Sequence, residues 1–547
     1  MEAGKIEISD NIFVIQAILN ETKNGDKEPI DISVYDVAKC FDSLWVQECL
    51  NDMFDAGIQN DKLNLLHLLC KNAQVAAKTS SGLTERRDIP NIVMQGTVWG
   101  GIFCTATMDK LGKFQYDNPD MLYSYKGEVA VPALEMVDDI LDVKKCGVDA
   151  IKSNSLINTF IEHKKLSMGH DKCERIHCGK KMLSCPDLKV HNKIMHNSNE
   201  AKYLGDQITS TANNVKTISK RKAKGYGIIS DIMYLLEAIP NGRHRTKVGL
   251  ELRQAWFLNS VLLNMETWHN LQDHHLKELM TLDNFLIRQI IGANSKVPVE
   301  LLFLETSSTP IDFVLTSRRL NYLHTLLNRS DNELTKKIYM AQKKLPIKGD
   351  WAQKVWEDME KVQLGIEEND IMKIKKSAFK NLVRKQVRTA VFSSLKVTQS
   401  SHIKVSAIKY PDFITQPYLK SQDLTFEESS TIFNIRANTV NGYTTCFPSI
   451  YRNDLNCKLG CLDSLDSLEH CMSCTVINTK LGLCQETISQ IFDKLDKQIL
   501  AVRIFISRNN VRTALLKQLE GLPGLDNTGH EHTGSAGGAG ERRGPRQ

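Results

Sequence analysis

No stretch of this sequence approaches the roughly 20 uninterrupted apolar residues that a membrane-crossing helix needs, so no membrane partner is expected. The opening residues, MEAGKIEISDNIF, lack the charged-then-apolar pattern of a secretory leader. Cysteine occurs 14 times but is scattered. That argues against a disulfide framework and for a reducing intracellular compartment, where clustered cysteines are better read as metal ligands. Glycine (31) and proline (14) are too sparse in 547 residues for a collagen-like chain or one disordered throughout. No charge sign dominates: a net charge of +6 is mild for this length and permits a nucleic-acid partner without requiring one. With 41% apolar and 24% charged residues the composition is globular, and the length suggests roughly two to four domains.

Residues 1–208 alternate helical and strand-like segments, the pattern of an α+β domain. Residues 11–19, 45–56 and 61–77 carry apolar positions at helical spacing, and 32–37 reads as a short strand. Residues 128–131 and 134–143 read as strands of a hairpin with two aspartates at its tip. From 209 to 425 long amphipathic helices follow, among them 246–264, 275–291 and 311–328. Residues 216–224 (KTISKRKAK) hold five Lys or Arg, and residues 371–404 hold nine with no Asp or Glu. Such runs fit a solvated helix face, or a surface for nucleic-acid phosphates. Residues 430–510 contain a Cys-His module and a following helix. The Gly-rich polar tail at 521–547 is expected to be disordered. No internal repeats stand out.

Isolated carboxylates draw attention next. Asp36, in DISVYDVAKCFDSLW, ends an apolar strand, where an acid is costly unless exposed or coordinating. Asp138 and Asp139, in ALEMVDDILDV, are adjacent like charges between apolar strand residues, and a cation shared with a third carboxylate would relieve them. Each feature alone also fits a plain solvated turn. Asp42, six residues after Asp36, fits a helix N-cap.

In order along the chain stand DVAKCFD, MQGTVWGGIFCT, MVDDI, KLSMGHDKC and YLG. This series resembles motifs A to E of reverse transcriptases. Segments such as FLNSVLLNMETW and PVELLFLETSSTPIDFVLTSRRLNYLHTLLNR extend the resemblance to the Dong-like branch of non-long-terminal-repeat retrotransposons. The resemblance implies a right-hand polymerase palm, an all-α thumb-like region and a small zinc-knuckle-like module. It implies RNA-directed DNA synthesis with two magnesium ions held by Asp36, Asp138 and Asp139. Its partners would be an RNA template, a DNA primer or target and deoxynucleoside triphosphates, in a nuclear and cytoplasmic, not secreted, protein.

Residue by residue, Phe41 matches the steric gate that selects deoxynucleotides, although a phenylalanine there also fits core packing. Gln95 and Gly96 match motif B, beside the nascent base pair, whereas Trp99 and Cys104 read as packing residues. Lys172 matches the motif D lysine, a general acid toward the leaving pyrophosphate, or is a lysine on a solvated loop. Tyr203, Leu204 and Gly205 match the hairpin that grips the primer. Met136 and Val137 depart from the family's motif C, which often has an aromatic there. The basic fingers residues that hold the triphosphate have no counterpart before Asp36, so truncated fingers are expected. A catalytically inactive, nucleic-acid-binding remnant is therefore the alternative.

Cys457-x3-Cys461-x8-His470-x3-Cys474 has the ligand types of a tetrahedral zinc site, with Cys471 or Cys446 as possible substitutes. By resemblance the knuckle would bind element RNA or target DNA. His269, Asp273, His274 and His275 read as helix surface.

Overall fold

The computed structural model describes residues 7–26, 28–71, 73–88, 93, 97–145, 148–179, 187–240, 244–402, 408–440, 443, 456–461, 464–481 and 495–520. Gln95, Gly96, Cys446 and the tail from residue 521 lie outside these ranges. Within them the chain is a mixed helix-and-sheet protein forming two compact units. One comprises Met1–Ala293 with Pro298–Lys420, the other Asn294–Val297 with Ser421–Gln547. No helix of the described residues is long and apolar enough to cross a membrane.

The first unit is organised on a five-stranded sheet. Its strands in chain order are β1 (Ile30–Asp36), β2 (Leu134–Met136), β3 (Asp139–Lys145), β4 (Glu174–Cys178) and β5 (His196–Asn197). Their spatial order is β5-β4-β1-β3-β2. β1 is antiparallel to both β4 and β3, and β5 runs parallel to β4. Every residue of β1 except its terminal Asp36 is buried, as a strand with neighbours on both edges and helices against it should be. Asp31 is tolerated inside because the Arg175 guanidinium on β4 donates Nε–H to both its oxygens, at 2.9 and 2.8 Å. Tyr35, Val37 and Ile140 pack with Cys49, Phe103 and Ile157 from the helices Val46–Asp55, Val98–Tyr116 and Val148–His163. Fully burying side chains of this size stabilises by about 1.5–3 kcal/mol each.

The expected hairpin is re-paired. Val129–Val131 bonds to Tyr123–Tyr125, so the hairpin that carries the aspartates lies wholly within β2 and β3. Short alternating runs such as VAV do not specify which strand they pair with, and here an upstream tyrosine-rich strand takes that edge. The helix expected over 61–77 stops at Lys71, and Gln74–Val75 is extended. The helix expected over 246–264 is interrupted by a π-turn at Arg253–Phe257, where Arg253 reaches out to Asp283 at 2.6 Å through both Nε and Nη2. Asp42 is not a cap: the helix Cys40–Ser43 is entered through Lys39 in the left-handed region (φ 48°), and Asp42 sits in its first turn.

Helix α1 (Ile8–Asn24) is buried from Asp10 to Thr22, including its polar residues. Apart from Thr22, whose hydroxyl donates to the Ile18 carbonyl of the same helix, the buried polar side chains are bonded to other parts of the unit. Asp10 accepts from Tyr322 Oη (2.8 Å) and Arg329 Nη2 (2.7 Å). Asn11 donates to the Glu135 carbonyl (2.9 Å), Gln16 to Asn214 Oδ1 (3.1 Å) and Asn20 to Asp350 Oδ1 (3.1 Å). Glu21 accepts from Tyr123 Oη (3.0 Å) and the Lys126 amide (2.6 Å). A buried helix with polar residues all round is stable only when each is paired, and here the pairing ties the sheet to the later helices. Those helices include Val215–Glu237, Asp273–Ile291, Ile311–Leu327 and Lys376–Ser400.

The second unit holds the helices Phe426–Arg436, Leu468–Ser473, Thr475–Leu481 and Leu495–Glu520. The last packs against the other three. Arg512 on it pairs with buried Asp466 at 2.7 Å.

Burial drives the Glu21 carboxyl up to about 7, only partly opposed by the Lys126 amide and the Tyr123 hydroxyl. A carboxyl raised on folding contributes most below its unfolded pKa, and that contribution is lost as the pH rises through the folded value. Glu21→Gln, which can keep both hydrogen bonds, is therefore expected to be more stable than the parent above pH ~7 and equal to it below pH ~4. Thermal melts across this range check the sign.

Candidate functional site

Asp36 and Asp139 are direct cross-strand partners. The register of β1 against β3 runs Tyr35↔Ile140 and Asp36↔Asp139. Met136 pairs with Asp139, which leaves Val137 and Asp138 as the two central residues of the β2–β3 turn. The alignment therefore brings all three aspartates to one end of the central strands. Like charges directly opposite one another in a sheet are destabilising, and such an edge suits a cation. Burial, then Asp138 and Asp36, hold the Asp139 carboxyl above the usual range, with Lys202 and Lys172 opposing them.

Several contacts maintain this edge. Lys172 Nζ lies 3.2 Å from each oxygen of Asp36 while its side chain remains 72% exposed, so it forms a tether without being buried. Gly169 donates its amide to the Asp36 carbonyl at 2.8 Å, and a Cβ at this glycine would stand 2.8 Å from Asp36 Oδ2. The position is therefore closed to side chains by the carboxylate itself. His191 Nε2 accepts the Met168 amide at 3.0 Å and braces the same loop.

The turn is also held. Val137 has a φ of 60°, a left-handed conformation that a β-branched residue rarely adopts. Its carbonyl accepts from the Cys104 thiol at 3.3 Å, and the Asp138 carbonyl accepts from the Val37 amide at 3.3 Å. Cys104 also meets Cys40 at 3.1 Å between sulfurs. Hydrogen bonding to Cys40 and then burial push the Cys104 thiol far up, so it remains a protonated donor. Phe41, beside Cys40, is half-buried against the core.

Tyr203 is buried, and its hydroxyl donates to the Leu134 carbonyl at 3.0 Å while accepting from Asn11 Nδ2 at 3.2 Å. It thus bolts the hairpin of β6 (Glu200–Tyr203) and β7 (Asp206–Thr209) to the strand that leads into the aspartates. Leu204 and Gly205 form its turn with φ of 46° and 92°, the left-handed pair that suits a two-residue hairpin. The Leu204 carbonyl accepts from Asn264 Nδ2 at 3.1 Å. Asp206 anchors the base of the hairpin, accepting from Trp268 Nε1 at 2.7 Å and from Arg221.

In the second unit, Cys457, Cys461, His470 and Cys474 each offer a donor atom, all within 4.8 Å of one another. Among the described residues no other set of three or more His, Cys, Asp or Glu side chains converges this tightly, the three aspartates included. The donor chemistry fits zinc. A turn closed by the Ser464 carbonyl on the Cys457 amide (2.7 Å), with Gly460 at φ 84°, presents the first pair. The helix Leu468–Ser473, capped by the Ser467 hydroxyl on the His470 amide (3.0 Å), presents the second. Burial raises Cys461, but hydrogen bonds from Thr475, Cys474 and His470 outweigh it and bring the thiol down to about 6. Burial pushes Cys474 up to about 12. Cys471 contacts Tyr443 and is not part of the cluster. His269 is core rather than helix surface: it is buried, bonded to Gln342 at 2.7 Å and brought down to about 3 by burial.

The sequence reading missed Gly169, His191, Asn11 and the role of Cys104. For Gly169 the signal was its place just before Lys172; the others carried none, because their reasons are contacts between distant segments.

No family model matches the chain, and no curated protein matches it. Solved telomerases overlap it in part. Apo telomerase from Candida tropicalis matches with a TM-score of 0.30 and 12% identity over 60% of this chain and 55% of that one. Candida tropicalis telomerase in complex with a TWJ fragment of telomeric RNA matches with 0.30 and 14% over 61% and 52%. The corresponding Candida albicans complex gives 0.25 and 14% over 57% and 50%. The chain thus spans about half the length of these structures. The functional reading rests on the site itself.

Asp139→Asn removes one of the opposed charges. In metal-free buffer at pH 7.5 it is expected to stabilise the first unit by about 0.5–1 kcal/mol. This gain should vanish below pH ~4, where the carboxyls are neutral in folded and unfolded chains alike. Millimolar MgCl2 should reverse the order by stabilising only the parent. Urea titrations with and without magnesium check both signs. For the Cys-His cluster, ~1 zinc per chain is expected in reducing buffer, falling well below half an equivalent in Cys474→Ser. Elemental analysis decides it.

Proposed function

We propose that this chain is a reverse transcriptase of the non-long-terminal-repeat retrotransposon kind, adding deoxynucleotides to a primer 3′-hydroxyl under an RNA template. The observation that carries the reading is the in-register opposition of Asp36 and Asp139, with Asp138 in the adjoining turn. It supports treating the sheet as a polymerase palm and the later helices of the first unit as thumb-like.

In this reading Asp36, Asp138 and Asp139 would hold two magnesium ions, whose charge would serve to activate the attacking hydroxyl and to neutralise the triphosphate. The protein side of the chemistry is positioning. β1 and β3 fix the carboxylates in one register, while the Cys104 thiol and the Val37 amide fix the turn that carries Asp138. Lys172, exposed and flexible beside Asp36, delivers its proton to the departing pyrophosphate. Phe41 fills the space of a ribose 2′-hydroxyl, and Gln95 with Gly96 lines the nascent base pair. The Leu204–Gly205 turn, anchored through Tyr203, supports the primer end. The zinc knuckle at Cys457, Cys461, His470 and Cys474 contacts the element's RNA or its DNA target.

Purified protein on poly(rA)/oligo(dT) with magnesium is expected to extend the primer, and Asp138→Ala to lose at least ~10²-fold of that rate. Equal signals from the two proteins, or none from either, would overturn the polymerase reading and leave the remnant.

A further inference from the structure

The geometry points to a binding site for a small tetrahedral oxyanion, inorganic phosphate, in the cavity between the second half of α1 and the start of the helix Asp273–Ile291. Its donors are Lys23, Asn270, His275 and the first amides of that helix. The site shares no residue with the aspartate edge, and it stands whether or not the chain is a polymerase.

The cavity holds about 180 Å³. Sites for drug-sized ligands begin near ~300 Å³, so this one suits an ion rather than a nucleotide. None of its lining residues is an Asp or a Glu, and its ionisable members are Lys23, His269, His274 and His275. Some of its polar groups are already engaged. Gln16 and Asn214 bond to each other, Asn20 bonds to Asp350 and His269 to Gln342. These four form wall.

His275 is the informative member. It is only 5% exposed and lines the cavity, yet neither ring nitrogen has a hydrogen-bond partner among the described residues. Leaving a buried polar group unpaired costs about 1–3 kcal/mol. Neither nitrogen is sealed inside packed protein, so an oxygen in the cavity can reach the ring.

Other free donors converge on the same space. The N-cap residue Gln272 makes no side-chain cap. The amides of His275 and Leu276 turn back to its carbonyl at 3.1 and 3.3 Å, whereas those of Asp273 and His274 have no acceptor among the described residues. The positive end of a 19-residue helix therefore opens beside His275. Asn270 accepts from Gln272 Nε2 at 2.7 Å through Oδ1, which leaves its own amide nitrogen free. Lys23 stands exposed on α1 at the rim.

The local charge has the matching sign. The His274 and His275 rings lie 3.9 Å apart between centroids. Burial, then His274, hold His275 below the usual histidine range; Glu278 opposes them and Lys23 adds to them. Glu278 is itself held by Lys222 at 3.1 Å, and exposed Asp273 does not line the cavity. An anion between Lys23 and the imidazoles relieves their crowding and pairs the orphaned ring. Donors approach from α1, from Asn270, from the helix end and from His275. A planar carboxylate offers two oxygens in one plane, whereas the four oxygens of phosphate point in as many directions. Bound there, phosphate would cross-link α1 to the helix Asp273–Ile291.

The test is isothermal titration of potassium phosphate into the full-length chain, in magnesium-free buffer of constant ionic strength at pH 7. Two or three charge-assisted hydrogen bonds predict one bound equivalent with a Kd of roughly 1 mM or tighter. Lys23→Ala, at an exposed position, and His275→Gln, of similar volume, should each bind at least ~10-fold more weakly. Lys23→Arg should bind as the parent does. So should Lys277→Ala, at an exposed position of the same helix outside the cavity. Sulfate should compete, and acetate should not. Circular dichroism checks folding, and if His275→Gln does not fold, Lys23→Ala alone decides. Absence of saturable binding by the parent overturns the inference, as does parent-like affinity in Lys23→Ala, which would mean an adventitious ion only. Competition by acetate equal to that by sulfate overturns it too. So does binding of a 20-base RNA that both variants lose while free phosphate fails to bind, since the cavity would then belong to a nucleic-acid strand.

Discussion

The first unit is arranged around a repulsion. Aligning β1 with β3 forces two carboxylates, Asp36 and Asp139, into the same rung of a sheet, and the turn adds Asp138 beside them. No rung of a purely structural sheet gains from this. Around it stand a lysine on Asp36, a glycine whose missing side chain gives Asp36 Oδ2 its room, and a thiol that secures the carbonyl of a strained valine. These contacts fix the backbone that carries the three carboxylates, with the strain borne by the turn at Val137, while the carboxylates themselves converge less tightly than the Cys-His cluster.

Behind that rung, α1 joins parts of the chain that would otherwise be independent. Asn11 touches the strand entering the aspartate turn and also Tyr203, which places the β6–β7 hairpin in the same hydrogen-bonded group as β2. Farther along α1, Gln16, Asn20 and Glu21 reach the start of the first long helix, the loop before Trp351 and the Tyr123–Tyr125 strand. A low-dielectric network of this kind is rigid when every member is satisfied and costly when one is not. Sheet and helical region are therefore coupled as one cooperative body rather than hinged at a linker.

What the amino-acid order revealed depended on how local the reason was. The aspartates were legible because an acid at the end of a buried apolar strand, or a pair between two of them, contradicts its surroundings. Their register was not, because IDISVYD alternates apolar and polar residues yet is buried on both faces, so the pattern does not say which strands lie beside it or in what offset. The Cys-His cluster was legible from spacing, since a turn and one helical stretch set the geometry. Gly169 was obscure because its constraint is a carboxylate 133 residues earlier, across two strands. Asn11, Gln16 and Asn20 are spread around α1 and read as solvent-facing polar residues, and only the folded structure shows that the helix is inside on every side. The hairpin was mis-paired, and the 246–264 helix was taken as continuous, for the same reason: edge choice and a π-turn are decided by tertiary partners such as Arg253 and Asp283.

The connections of α1 also impose a timetable. Its bonds to Arg329 and Asp350 span 319 and 330 residues, among the longest separations in the unit. During synthesis at ~5–20 residues per second, the helix waits roughly 15–65 s before those partners exist. Throughout that interval Asp10 and Asn20 have only water in place of those partners, whereas Asn11, Gln16 and Glu21 already have theirs. A nascent chain stalled before residue 320 would carry the three aspartates together with Lys172, Gly169, Cys104 and Tyr203 around them, yet lack Tyr322, Arg329 and Asp350, the groups that tie α1 to the later helices.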